Sequence, residues 1–269
     1  MRHQGHIAVV TGGAQGIGAG IVEVLHKNGA KVAIIDRQRD KALKLSCDIS
    51  GDDGAITVIE ADISDKPGCE YALQQVIDRF GAVDILVNNA ALARNKDYIG
   101  KLSDSDWADQ SKLTIEAVTN LSEIALPYLQ RSKCPAIVNV SSVTATKIAQ
   151  NQASWPYHVS KAGLEQLTRY LAVKLGQSNI RVNAVAPGLV DRSEGVKLTD
   201  FKSNQQVISH VVPLNRVATA SDIGEAVSFL SSQEASFITG QVLVVDGGMG
   251  IAEVFGAGLS ILESLDFSN

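Results

Sequence analysis

Short, nearly unbroken runs of aliphatic and β-branched residues recur along this chain, and stretches of helical periodicity separate most of them. Residues 7–10 lead into an amphipathic stretch over 17–28 that stops at Gly29. Residues 31–35 precede a charged helix near 40–50, 55–60 precede a helix over 68–80, and 84–87 precede a long helix over about 105–130. Residues 136–140, a helix near 157–175, residues 180–186 and a last run at 241–245 complete the series. Runs that are apolar throughout, rather than at every second residue, belong to strands buried on both faces. Strands that alternate with helices give an α/β fold with a doubly wound parallel sheet, here of about seven strands flanked by helices. Pro/Ser-rich linkers and repeats are absent from the sequence, so all of 1–269 is read as a single domain. The polar segment 189–212 lies just past a strand end, where open α/β sheets bind ligands, and is read as an irregular substrate lid. Residues 249–269 read as a C-terminal extension that packs on a neighbouring subunit or frays.

Composition narrows the function classes. A net charge of −5 offers no footprint for nucleic acid or an anionic membrane. No apolar run approaches the roughly 20 residues of a membrane span, and the first six residues are read as carrying no signal peptide. Cys47, Cys69 and Cys134 are widely spaced, without the intervals of a metal site. They point to reduced thiols and a cytoplasmic protein, and no metal is assigned.

The chemistry concentrates at three places. Thr11-Gly12-Gly13-Ala14-Gln15-Gly16-Ile17-Gly18 lies between the first strand and the first helix. Glycines there allow a tight turn and bring backbone N–H groups close to a pyrophosphate at the helix N-terminus. The spacing of Gly12, Gly16 and Gly18 is G-x-x-x-G-x-G, which departs from the commoner dinucleotide fingerprint. Asp36 ends the second strand, where a carboxylate accepts bonds from an adenosine ribose diol and repels a 2′-phosphate. The expected cofactor is therefore NAD in preference to NADP, with Gln15 where a phosphate-binding base would stand, although Arg37 pulls the other way. Tyr157 and Lys161 are spaced i,i+4, so a helix puts them on one face. An ammonium beside a phenol stabilises the phenolate and makes the phenol a usable acid or base.

In their order along the chain these motifs resemble the short-chain dehydrogenase/reductase family in its compact, Rossmann-like form. Further matches are Ala61-Asp62-Ile63, Asn88-Asn89-Ala90, the run 137–142 ending in Ser141-Ser142, the run 181–188 ending in Pro187-Gly188, and 239–248 ending in Asp246-Gly247-Gly248. The resemblance implies hydride transfer between NAD(H) and a secondary alcohol or ketone, with Tyr157 as general acid/base. It implies that Lys161 binds the nicotinamide ribose and assists Tyr157, and that Ser142 hydrogen-bonds the substrate oxygen. Gly12, Gln15, Gly16, Ile17 and Gly18 would hold the cofactor together with Asp36. Asp62 and Ile63 would hold the adenine, Asn89 would lie near the adenosine ribose, and Val190 would offer its backbone to the carboxamide. A homotetramer or homodimer is implied as well.

Several positions depart from the family pattern. Thr114 stands where a relay asparagine is expected on the long helix. Ser142 lies fifteen residues before Tyr157 rather than thirteen. Thr144 restores the count, but Ser142 holds the strand-end position and is preferred, with a two-residue insertion in the following loop. Arg192 replaces a threonine, directed either to solvent or to an anionic group. Trp155 lines the substrate site or packs at a helix start, and His158 is read as a surface or packing residue. The competing reading is a catalytically weak or inactive nucleotide sensor or scaffold on the same fold.

Overall fold

Residues 1–50, 54–92, 104–150, 152–191, 197–253 and 256–261 are described in the computed structural model of the chain. The elements are β1 (Ile7–Thr11), α1 (Gly16–Lys27), β2 (Lys31–Asp36), α2 (Arg39–Ser50), β3 (Ile56–Glu60), α3 (Lys66–Phe80) and β4 (Ile85–Asn88). They continue with α4 (Asp104–Ser111), α5 (Ala117–Leu129), β5 (Ala136–Val140), α6 (Trp155–Leu175), β6 (Arg181–Pro187), α7 (Lys202–Val211), α8 (Ala220–Ser231) and β7 (Val242–Val245). Arg192 lies outside the described residues.

All seven strands form one parallel sheet in the order β3-β2-β1-β4-β5-β6-β7. The order reverses between β1 and β4, so the chain leaves these neighbours in opposite directions and opens a crevice at their C-terminal ends. Side-chain alternation divides the core in two. Val9, Ala33, Ile35, Leu86 and Ile137 face α3, α5 and α6, whereas Ala8, Val10, Ile34, Val87 and Val138 face α1 and α8. Both sets are 0–1% exposed, as strands that are apolar at every position require.

The structure differs from the sequence reading at three places. The segment read as an irregular lid contains the helix α7, whose Ile208 packs with Val212 and Val217. Its apolar residues Val207, Ile208 and Val211 recur at helical spacing, but the rest of the segment is polar and reads as a loop. The sequence reading also missed α8. Its start is marked by Thr219, whose hydroxyl accepts from Asp222 N–H (3.2 Å) while the Asp222 carboxylate accepts from Thr219 N–H (2.7 Å). This helix packs on α1 at Gly20 and Gly224: a Cβ on Gly224 would lie 2.6 Å from the Gly20 carbonyl oxygen. Finally, the long helix over 105–130 is interrupted. A π-helical turn, Lys112–Glu116, separates α4 from α5 and carries Thr114. Such a turn widens the backbone ladder and is common at functional sites.

At the sheet's other end, the ring of fully buried His3 lies against α8, its Nε2 3.1 Å from the Ser228 carbonyl and 3.0 Å from the Ser228 hydroxyl. Burial, assisted by the neighbouring His6, pushes its pKa down from 6.5 to about 4. The unfolded chain binds this proton below pH 6.5, whereas the folded chain refuses it until about pH 4. Stability is therefore fully present above pH 6.5 and declines as the pH falls towards 4, by up to roughly 3 kcal/mol. Urea midpoints for the wild type and His3→Gln should converge or cross between pH 7 and 4.5. Parallel pH dependence of the two proteins would contradict the assignment.

Candidate active site

The crevice between β1 and β4 is shaped first by glycine. Gly16 adopts φ +57°, and a Cβ there would meet nothing within 4 Å, so the space above the turn is open. At Gly12 and Gly18 the opposite holds: a Cβ would lie 2.8 Å from Ala90 Cα and 2.0 Å from the Gly12 carbonyl oxygen, respectively. The N-cap residue of α1, Gln15, makes no side-chain capping bond. No side chain thus caps the N-terminus of α1 at the open space, and a helix N-terminus of this kind binds phosphate. Gln15 lines the crevice, and its side chain accepts from Lys41 Nζ (2.9 Å).

Thr11 and Asn89 tie the two diverging strands together. The Thr11 hydroxyl accepts from Asn89 N–H (3.0 Å) and Ala90 N–H (3.1 Å). Asn89 Nδ2 donates to the Thr11 and Gly12 carbonyls, each at 2.9 Å. Asn89 lines the crevice, but its amide donors brace the glycine turn, a task the sequence reading had not given it. Asp36 is also partly engaged, accepting from Ala14 N–H (3.0 Å) and Gln38 N–H (2.9 Å). Ser64 N–H, chiefly, and Arg37 at 3.4 Å hold the Asp62 carboxyl below its ordinary pKa. Asp36, Asp62 and Asn89, together with Gly12, Ile17 and Ile63, line a cavity of about 270 Å3.

A second cavity of about 180 Å3 continues on the other side of Ile17, lined by Gly16, Ser142, Tyr157, Gly188 and Val190. Ser142 follows β5, and its Oγ accepts from Thr144 N–H (3.2 Å), which leaves the hydroxyl proton free to donate. The Thr144 hydroxyl is buried and unpartnered, and Thr144 does not line this cavity. Of the two candidates, Ser142 is therefore the one brought to Tyr157. Pro156 sits in the first turn of α6, where its missing N–H costs nothing. One turn on, Lys161 is 3% exposed, with Nζ donating to the Val140 carbonyl (2.7 Å) and lying 5.8 Å from the centroid of the Tyr157 ring.

Val190 pairs with Ala218 through its neighbours: Ala218 N–H donates to Leu189 O and Asp191 N–H donates to Ala218 O, each at 2.9 Å. The amide and carbonyl of Val190 itself are turned the other way. Thr114 is 2% exposed, and its hydroxyl has no hydrogen-bond partner among the described residues. Trp155 stacks on Trp107 of α4, with centroids 5.5 Å apart and planes inclined by 21°. Sequence reasoning missed Glu165, one turn beyond Lys161, which is 5% exposed and accepts from the Ser141 hydroxyl (3.0 Å). The i,i+4 spacing from Lys161 was the available signal.

Residues 12–250 match the family model described as enoyl-(acyl carrier protein) reductase. The chain is a short-chain dehydrogenase/reductase. This dehydrogenase/reductase is 32% identical over 249 residues to the 3-oxoacyl-[acyl-carrier-protein] reductase FabG of Thermotoga maritima, covering 93% of this chain and 99% of the relative. It is 33% identical over 261 residues to the oxidoreductase UcpA of Salmonella typhimurium, covering 95% and 98%. Among solved structures it is similar to 3-ketoacyl-(acyl-carrier-protein) reductase from Brucella melitensis complexed with NADH, with TM-score 0.81 and 30% identity over 92% of this chain and 99% of the other. A short-chain dehydrogenase/reductase from Serratia marcescens gives 0.82 and 29% over 93% and 100%. The family thus makes this chain a nucleotide-binding oxidoreductase. No helix among the described residues is long and apolar enough to cross a membrane.

Proposed function

We propose that this chain reduces a ketone, or oxidises the corresponding secondary alcohol, with NAD(H) as cofactor. One observation carries the reading: Ser142 and Tyr157 wall a cavity that meets the glycine-turn cavity at Ile17, with the buried Lys161 ammonium over the tyrosine ring. The residues fit a dinucleotide. The open space over Gly16 would take the phosphates, Asp36, Asp62 and Ile63 the adenosine, and Val190 and Lys161 the nicotinamide end. A bound nicotinamide supplies or accepts the hydride.

The chain's own residues handle the proton and the oxygen. In the reducing direction the Ser142 hydroxyl donates to the substrate carbonyl and stabilises charge as it develops there. Tyr157 Oη gives its proton to the same oxygen, and the Lys161 ammonium stabilises the phenolate left behind. Asp36 supports NAD over NADP because a carboxylate repels a 2′-phosphate, and the relative from Brucella melitensis holds NADH. The three cysteines are free thiols, consistent with a cytoplasmic protein, and no metal role is proposed.

A 3-oxoacyl thioester is the first substrate to try, since the Thermotoga maritima relative is named for one. NADH consumption with acetoacetyl-CoA and a panel of simple ketones, repeated with NADPH, tests the reading. Turnover favouring NADH supports it. Nucleotide binding without turnover on the whole panel would instead identify a sensor or scaffold, the reading that Thr114 favours. Thr114 is proposed to hold a relay water through its unpartnered hydroxyl. Thr114→Asn should then change kcat and its pH profile, and an unchanged profile would remove that role. Assembly as a homodimer or homotetramer is supported by exposed Leu243 and Val244 on the edge strand β7. A monomer by light scattering would contradict it.

A further inference from the structure

Ser142 and Tyr157 stand at opposite ends of one connection, so their separation depends on how that connection is held. It begins with tight turns, in which Ala145 N–H donates to Ser142 O (3.0 Å) and Lys147 N–H to Val143 O (2.9 Å). It ends with another, in which Gln152 N–H donates to Ala149 O (3.1 Å). Ile148, between the two, is 81% exposed and anchors neither. The side chain of His158, next to Tyr157 on α6, ties the second of these turns to the start of the helix. Its Nε2 accepts from Ala149 N–H (3.0 Å), and its Nδ1 lies 2.9 Å from the Ser154 carbonyl.

These two partners fix the state of the ring. A backbone N–H can only donate and a carbonyl can only accept, so both bonds form only with the neutral imidazole protonated at Nδ1. Ser154 is the N-cap residue of α6 and makes no side-chain capping bond. Its carbonyl also accepts from Tyr157 N–H (3.1 Å). One imidazole therefore joins the loop leaving Ser142 to the backbone turn that presents Tyr157.

We infer that His158 is a positioning residue, which sets the placement of Ser142 relative to Tyr157 by fastening the Ala149 turn to the start of α6. The inference rests on the proposed carbonyl reduction. The bond to Ala149 does the fastening, because the Ser154 carbonyl is already held by the helix backbone.

Two substitutions separate the two bonds. A glutamine amide reaches the position of Nε2 and an asparagine amide that of Nδ1. The full-length chain and its His158→Gln, His158→Asn and His158→Ala variants are compared by hydrogen exchange at the Ala149 amide. They are also compared by turnover of acetoacetyl-CoA with NADH. Exchange should quicken at least about tenfold in His158→Asn and His158→Ala, and stay within about twofold of wild type in His158→Gln. In the first two, kcat should fall about tenfold with the KM for NADH unchanged, because displacing one reacting group by a fraction of an ångström suffices. Unchanged Ala149 exchange in His158→Ala would overturn the inference, as would faster exchange with unaltered kcat. If the wild type turned over no substrate, the reductase reading would fail and the positioning role with it. The exchange data would still show separately whether the imidazole holds the loop.

Discussion

Replacing Tyr157 by phenylalanine is expected to lower kcat about 10³-fold while the Kd for NADH stays within about twofold, the size expected when an acid/base group is lost without its packing. The ring of Tyr157 is 8% exposed and sits under Lys161, so the substitution removes one oxygen and leaves the wall of the cavity in place. Ser142 would still donate to the substrate oxygen, and the loss should therefore fall on kcat rather than on substrate KM. Stopped-flow binding of NADH together with steady-state turnover measures both quantities. A drop smaller than about tenfold would mean that another group supplies the proton.

Gly18→Ala is expected to act on the other half of the site. The added methyl would lie 2.0 Å from the Gly12 carbonyl oxygen and 2.6 Å from Asn89 Nδ2. The first neighbour is backbone and cannot swing aside. The second is the brace that holds the turn to both strands. The loop must shift, and affinity for NADH should fall at least about 100-fold, as 3 kcal/mol of lost phosphate bonds would give. Gly16→Ala is the matched control: its Cβ meets no protein atom, so its cost is limited to the positive φ and to whatever occupies the open space. Titration of NADH fluorescence distinguishes the two. Equal affinity in Gly18→Ala and wild type would show that the turn is more plastic than its contacts suggest.

The sheet was legible in the sequence because its central strands are buried on both faces and are therefore apolar at nearly every position. Ile7, Ala8, Val9 and Val10 read as a strand without any knowledge of their neighbours. α7 was overlooked although Val207, Ile208 and Val211 have helical spacing, because its polar residues look like a loop. The π-turn at Thr114 was invisible for a different reason. Lys112–Glu116 has ordinary helical composition, and its packing against α6 is a long-range contact that the local sequence does not announce. In the site, the glycine turn, Asp36, Tyr157 and Lys161 were readable because their spacing is local. Ser142 was preferred over Thr144 from its place at the strand end, and the fold sets it in one cavity wall with Tyr157. The bracing by Asn89 and the bonds of His158 were out of reach, because they join backbone atoms that no sequence interval brings together.

The stacked pair Trp107 and Trp155 has a spectroscopic consequence. The chain has two tryptophans, and both are in this stack. All of its indole emission therefore originates at the seam between α4 and α6, two residues before Tyr157. Coupled indoles this close give a paired positive and negative band in the far ultraviolet, whose amplitude depends on their mutual angle. Without any label, the protein thus carries an optical gauge of the angle at which the helix of Tyr157 begins.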